Sequence, residues 1–223
     1  MVGLHVTATP PQPPPNVNEK VPSTRLEVIL QQRSGLLLIK TLCYAAALAE
    51  TAVILAARNA ELPISQKIIA NLVFSGSANN IRPTPLFFLG TFMTGLGGYI
   101  RYTCYRALGR LFTFEMSIRN NHQLITDGPY SVVRHPAYTG AILTVAGIIC
   151  CHTSQGSWTR ECGVLETKFG QSAFWLFSVF VSALTAGLML RMSKEDAALK
   201  KTFGSQWDNW ARLVPYSILP WIY

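Results

Sequence analysis

The sequence predicts an all-α fold, a polytopic transmembrane bundle of about four to five membrane helices, and three observations carry that prediction. The chain of 223 residues is 49% hydrophobic and only 13% charged, where a soluble domain carries about a quarter of charged residues. Its apolar residues fall in long blocks, each of which can be held against the roughly 20 residues that a helix needs to cross a bilayer. Lysine and arginine stand singly or in small groups beside those blocks, the pattern of membrane topology rather than the basic stripe of a nucleic-acid-binding surface.

In chain order, residues 1–24 hold Pro10, Pro11, Pro13, Pro14, Pro15 and Pro22 among polar residues, which favours a disordered tail without a catalytic role. No apolar signal region stands at its start, so cleavage and secretion are not expected. Residues 25–110 are expected to supply the N-terminal membrane helices. The first span runs from Gly35 to about Ala57 and is interrupted by Lys40 and Glu50. These two lie too far apart to be i,i+4 partners, so each is expected to pair with another helix.

Residues 62–74 are too short and mixed to span, and suit an interfacial or loop-covering helix. The next span begins near Pro85, where Gly90, Gly95, Gly97 and Gly98 allow close helix approach. Arg101, Arg106 and Arg110 place its far end on the cytosolic side. A third apolar block at 137–151 and a fourth at 172–192 form a hairpin whose 153–171 loop faces the other compartment, because Arg191, Lys194, Lys200 and Lys201 mark the cytosolic side again. The polar segments 111–136 and 191–223 therefore share one face.

The formal net charge of +8 follows this topology and does not call for a nucleic-acid partner. Cys43, Cys104, Cys150, Cys151 and Cys162 form no Cys-x-x-Cys pair and have no neighbouring histidine at zinc-ligand spacing, so they read mostly as buried small hydrophobes and no metal site is expected.

The densest chemistry lies in the run HQLITDGPYSVVRHPAYTG, residues 122–140. Asp127-Gly128-Pro129 signals a turn, and Pro136 fits the first turn of the third span, where its missing N–H is not needed. Tyr130, Arg134, His135 and Tyr138 are thereby placed near the membrane surface. Taken alone, this is a preorganised polar site beside lipid, not yet a reaction.

Those residues resemble the isoprenylcysteine carboxyl methyltransferase family, with looser similarity to membrane phospholipid methyltransferases. A second stretch supports the resemblance: RMSKEDAAL from Arg191, then FGSQWDNW from Phe203 and VPYSILPWIY from Val214. Together they mark 111–223 as the catalytic region. The resemblance implies S-adenosylmethionine as cofactor, a cytosolic pocket formed by the C-terminal helix and loop region, and an integral-membrane enzyme whose usual home is the endoplasmic reticulum. It further implies as acceptors the prenylated C-termini that CaaX-type proteins expose after proteolysis, methylated on the isoprenylcysteine carboxylate, in a setting of membrane lipid.

Carried over by alignment, His122, Gln123, Leu124, Ile125, Tyr130, His135, Pro136, Ala137, Tyr138 and Glu195 would hold the cofactor. Arg191 would face the substrate carboxylate, so Arg191 and Glu195 form the expected catalytic pair. Glu115 joins the cofactor set with a departure, since better-known relatives carry a glutamine there. The chemistry suits these types: aromatic faces and a carboxylate favour a methyl sulfonium. A C-terminal carboxylate of pKa about 3.5 is ionised at neutral pH and needs no general base.

Blander readings stand beside these. Arg191 and Glu195 are i,i+4 and could form a surface ion pair contributing about 0.3–0.5 kcal/mol. His135 could be a helix-start histidine, and Tyr130 and Tyr138 part of the interfacial aromatic belt to which Trp207, Trp210, Trp221 and Tyr223 are assigned. Rival functions are a phospholipid N-methyltransferase, a sterol reductase and a non-catalytic membrane scaffold or lipid-binding protein.

Overall fold

A computed structural model describes residues 1–19, 33–115, 117 and 122–221. Part of the expected tail (20–24), part of the next region (25–32) and Tyr223 lie outside the described residues. The described chain is helical: α1 Val2–Ala8, α2 Arg33–Arg58, α3 Pro63–Leu72, α4 Pro85–Leu108, α5 Pro136–Thr153, the single turn α6 Trp158–Glu161, α7 Lys168–Phe203 and α8 Ser205–Leu213.

Three segments, Gly35–Arg58, Pro136–Glu161 and Lys168–Phe203, are long and apolar enough to cross a membrane, the build of an integral membrane protein. Helix α4, with 24 residues, is long enough at about 36 Å. Its glycines, tyrosines and arginines keep it below the hydropathy of the other three. Among the described residues three helices thus meet both criteria, and α4 is long enough to stand as a fourth.

Thr84 caps α4 by accepting from the Phe87 N–H at 3.4 Å, and Pro85 opens the helix. Glycine then decides how α4 meets α5. A Cβ on Gly97 would lie 2.4 Å from the Gly140 carbonyl oxygen, and one on Gly90 2.6 Å from that of Gly147. Only residues without a side chain let two helix backbones run this close. Gly95 faces open space and takes no part.

The N-terminal segment departs from the expected disordered tail. Residues 2–8 form α1, and Leu4 is only 3% exposed. A Cβ on Gly98 would sit 2.4 Å from the Gly3 Cα. The Tyr105 hydroxyl donates to the Val6 carbonyl at 2.8 Å, and the Thr7 and Thr144 hydroxyls lie 2.9 Å apart. The physical reason is local: the prolines begin at Pro10, leaving the first residues free to coil onto the glycine face of α4.

The charges inside α2 are held by neighbours, as expected, and not by each other. Lys40 Nζ donates to Thr9 Oγ1 at 3.3 Å, and the Glu50 carboxylate accepts from the Trp158 backbone. At the same end as Trp158, the Phe74 and Arg82 N–H groups donate to the carbonyls of Cys162 and Gly156 at 2.9 and 3.1 Å, tying the 153–171 loop to the α3–α4 connection. All five cysteines are free thiols, and Cys43, Cys104 and Cys162 are buried.

Helix α7 has 36 residues, about 54 Å at 1.5 Å per residue, well beyond the roughly 30 Å of a bilayer core. Its apolar interior is the fourth block. Its last three turns leave the apolar zone and carry Arg191 through Lys201 to the end where α4 finishes and α5 begins.

Candidate active site

The two polar segments expected to share a face meet directly. The Arg134 backbone N–H donates to the Tyr216 carbonyl at 2.9 Å and that of His135 to Ser217 at 2.8 Å. The Arg134 guanidinium gives Nη1 to the carbonyls of Val214 and Pro215 at 3.1 and 2.6 Å and Nη2 to Ser217 Oγ at 2.8 Å. Its Nε lies 3.3 Å from Asp196 Oδ2, while His135 Nε2 lies 3.1 Å from Asp196 Oδ1. One arginine thus fastens the C-terminal segment to the start of α5, and Asp196 fastens both to α7.

Pro136 opens α5 with His135 at its N-cap, as the spacing predicts, and this orients Tyr138. The Tyr138 hydroxyl donates to Glu195 Oε2 at 2.6 Å, and its ring stacks on His135 at 5.4 Å with 5° between planes. Arg191 Nε lies 3.8 Å from the same Glu195 oxygen, and Arg191 Nη1 donates to the Phe114 carbonyl. Arg191 is 6% exposed, so the surface ion pair, whose small contribution rests on solvent screening, does not describe it.

These groups line one cavity of about 250 Å3 between α5, α7 and residues 111–115 and 122–125. Glu115, His122, Gln123, Leu124, Ile125, Tyr130, His135, Ala137, Tyr138, Arg191 and Glu195 all border it. Pro136 is buried beside it and does not. At its inner end the lining turns apolar, with Ile142, Val145, Val181 and Leu184.

His122 presents a buried Nδ1 with no hydrogen-bond partner among the described residues, an arrangement that native structures rarely leave without a ligand or water. Burial lowers its pKa below the ordinary histidine value against the opposing charge of Glu195. Burial raises the Tyr130 phenol well above its usual pKa, so it remains a neutral donor. Leu124 and Ile125 pack on the cluster of Phe112, Tyr130 and Trp210.

Trp210 corrects one expectation: it is 6% exposed and donates Nε1 to the Tyr130 carbonyl at 3.1 Å, so it is a core residue under the site and not part of an aromatic belt. Trp221, by contrast, is 84% exposed. Tyr130 and Tyr138 are likewise buried against the cavity rather than displayed at the surface.

Sequence reasoning missed two residues. Asp196 was hidden beside Glu195, and nothing in the spacing separates their roles. Arg101, read as a marker of the cytosolic side, is 6% exposed and borders the cavity. It donates Nη1 to the Ala137 carbonyl at 2.9 Å and Nε to the Tyr105 hydroxyl at 3.1 Å, over the rings of Tyr105, Phe112 and Phe114 at 5.0 to 5.8 Å. A signal was available: Arg101 lies four residues beyond Gly97, on the face that meets α5.

Fold and cavity together define an integral-membrane helical protein with a polar pocket at one end that opens into an apolar lobe. Residues 89–157 match the Isoprenylcysteine carboxyl methyltransferase (ICMT) family, so the resemblance read from residues 122–140 stands. The chain is similar to protein-S-isoprenylcysteine O-methyltransferase B of Arabidopsis thaliana, 28% identical over 131 residues, covering 58% of this chain and 57% of that protein. It is also similar to a protein-S-isoprenylcysteine O-methyltransferase of Schizosaccharomyces pombe, 28% identical over 131 residues, 55% of this chain and 45% of that one. A shorter similarity, 26% over 101 residues, reaches a delta(14)-sterol reductase of Mus musculus, of which 20% is covered. The chain therefore spans about half the length of the methyltransferases it resembles. No solved structure matches it.

Proposed function

We propose that this chain is a protein-S-isoprenylcysteine O-methyltransferase, which esterifies the C-terminal isoprenylcysteine α-carboxylate of prenylated proteins with a methyl group from S-adenosylmethionine. The observation that carries the reading is the continuity of one cavity, from a charged end at Arg191 and Glu195 to an apolar lobe at Val145 and Val181. A lipidated acceptor with a terminal carboxylate has those two properties.

The residues at the polar end fit the cofactor. The His122 Nδ1, without a partner among the described residues, offers a hydrogen bond, and Leu124, Ile125 and the Tyr130 ring give an apolar wall. Bound there, the cofactor supplies an electrophilic methyl group on a sulfonium. The Glu195 carboxylate, fixed by the Tyr138 hydroxyl at 2.6 Å, favours the positive charge, and Gln123, His135, Ala137 and Glu115 complete the walls.

Arg191 orients the acceptor. Its guanidinium is held by Glu195 and the Phe114 carbonyl and directs a carboxylate toward the methyl group, with closure of the cavity excluding water. No side chain has to remove a proton, because the carboxylate is already ionised. The acceptors are CaaX-type C-termini after proteolysis, and the setting is the endoplasmic reticulum membrane with the site facing the cytosol.

The test is methyl transfer from labelled S-adenosylmethionine to N-acetyl-S-farnesylcysteine by the purified chain in lipid, with phosphatidylethanolamine as parallel acceptor. Base-labile label on the farnesylcysteine is expected. Label on the phospholipid alone would move the assignment to a lipid N-methyltransferase, and cofactor binding without transfer to a scaffold. Similarity to a sterol reductase adds a control: NADPH oxidation with a sterol substrate is expected to be absent.

A further inference from the structure

Glu195 and Asp196 are neighbours on α7, and each holds one ring at the start of α5. The Tyr138 hydroxyl donates to Glu195 Oε2 at 2.6 Å, and His135 Nε2 lies 3.1 Å from Asp196 Oδ1. Only one of the two carboxylates reaches the cavity: Glu195 borders it and Asp196 does not. Asp196 meets Arg134 and His135 instead, and both of these do border it. Whatever Asp196 contributes to a bound ligand therefore passes through another side chain.

The contact with His135 fixes a proton. An ionised carboxylate only accepts hydrogen bonds, and Asp196 accepts at Oδ2 from Arg134 Nε at 3.3 Å. The bond at Oδ1 therefore requires the imidazole proton on Nε2. In a neutral ring the other nitrogen, Nδ1, is then an acceptor, and no described residue hydrogen-bonds it. Turning the ring over would break the Asp196 bond and disturb the stack on Tyr138, with 5° between planes, in a side chain only 5% exposed.

We propose that Asp196 is a positioning residue for the cofactor: it holds His135 as the Nε2–H tautomer, oriented so that the Nδ1 lone pair accepts a hydrogen bond from an N–H of S-adenosylmethionine. The inference rests on the methyltransferase reading above. The cofactor carries N–H groups at two places, the adenine 6-amino group and the α-ammonium, and Nδ1 accepts from one of them. This role complements that of Glu195. A carboxylate favours positive charge from any direction, whereas a fixed neutral acceptor selects where an N–H stands. A carboxylate that orients a histidine and sets its tautomer is a known catalytic device; here it serves binding.

The experiment uses the full chain in lipid with 15N-labelled histidine and S-adenosylhomocysteine as ligand, so that no transfer occurs. Long-range 1H–15N correlation reads the tautomer, and the His135→Gln spectrum assigns the His135 signals. The native chain at neutral pH is expected to carry the proton on Nε2, and saturation with ligand to move the Nδ1 resonance upfield. Two analogues identify the donor: S-inosylhomocysteine lacks the 6-amino group, and S-adenosyl-4-thiobutyrate lacks only the α-amine. One of them should leave Nδ1 unmoved. By calorimetry, Asp196→Ala should bind S-adenosylhomocysteine about tenfold more weakly and that same analogue as the native chain does.

A proton on Nδ1 overturns the inference, as does an Nδ1 resonance unmoved by S-adenosylhomocysteine or moved equally by all three ligands. Equal loss of all three ligands in Asp196→Ala overturns it too, since that is the mark of a structural role. The tautomer and the shift are read in the native protein, so a variant that fails to fold does not decide the matter. Ligand binding with Nδ1 unmoved removes only the role of Asp196. A native chain that binds no S-adenosylhomocysteine removes the methyltransferase reading and this inference with it.

Discussion

Helix α5 meets two of its neighbours, α4 and α7, in opposite ways. Against α4 it runs backbone to backbone, with Gly90 and Gly97 facing Gly147 and Gly140. Against α7 it stands off, joined mainly by side chains: Tyr138 to Glu195 and His135 to Asp196 at the polar end, and Ile142, Leu188 and Met192 beside them. The first contact makes a fixed wall and the second leaves a cavity. A membrane bundle has little hydrophobic gain from bringing two helices together, so glycine close packing determines which pair shuts and which pair can hold a ligand.

The largest effect should come from breaking the closed pair. Gly97→Val puts branched carbons where even a Cβ would lie 2.4 Å from a carbonyl oxygen. A loss of about 3 kcal/mol or more is expected, read as a lower Tm in detergent. Gly95→Ala, two residues away with nothing within 4 Å, should leave stability within about 0.5 kcal/mol of native or raise it.

At the open pair, Arg191→Ala should reduce methyl transfer about 100-fold while cofactor affinity, measured by calorimetry, stays near native. Equal loss of both would move Arg191 from the acceptor to the cofactor. Tyr138→Phe removes the 2.6 Å hydrogen bond to Glu195. A bond to a charged group contributes about 1.5–3 kcal/mol, so cofactor affinity should fall at least about tenfold with little change in stability of the α4–α5 pair.

The smallest effect is one of pH. Burial holds the His122 pKa below its ordinary value, so the unfolded chain takes up this proton more readily than the folded one. The contribution of the neutral ring is complete above the unfolded value of about 6.5 and is lost as the pH falls through the lowered folded value. Tm measured from pH 7.5 downward should decline more steeply in the native chain than in His122→Asn. Parallel curves would show that His122 does not titrate in this range.

The same contrast explains what could be read from sequence. The α4–α5 wall was legible because glycines and the 122–140 run are local patterns: Pro136 opens α5, and Tyr130, His135 and Tyr138 line or border the pocket where the motif puts them. The α7 side was legible only through Arg191 and Glu195 at i,i+4. Asp196 gains its role from Arg134 and His135, some sixty residues away in the chain, and no local spacing encodes that meeting. Arg101 looked like a topology marker because positive-inside counting treats every arginine at a helix end alike. Composition likewise classed residues 1–24 as tail, since proline content averages over the short proline-free stretch that coils onto Gly98.

The central claim is that the gap between α5 and α7 receives the acceptor's lipid chain, and photolabelling tests it most directly. A diazirine-bearing S-isoprenylcysteine is irradiated with the chain in lipid, and the labelled peptides are identified by mass spectrometry. The account predicts label on residues 141–145 and 181–188, suppressed by excess N-acetyl-S-farnesylcysteine. Label confined to the exposed face of α4, around Phe88 and Phe92, and indifferent to competitor would contradict it.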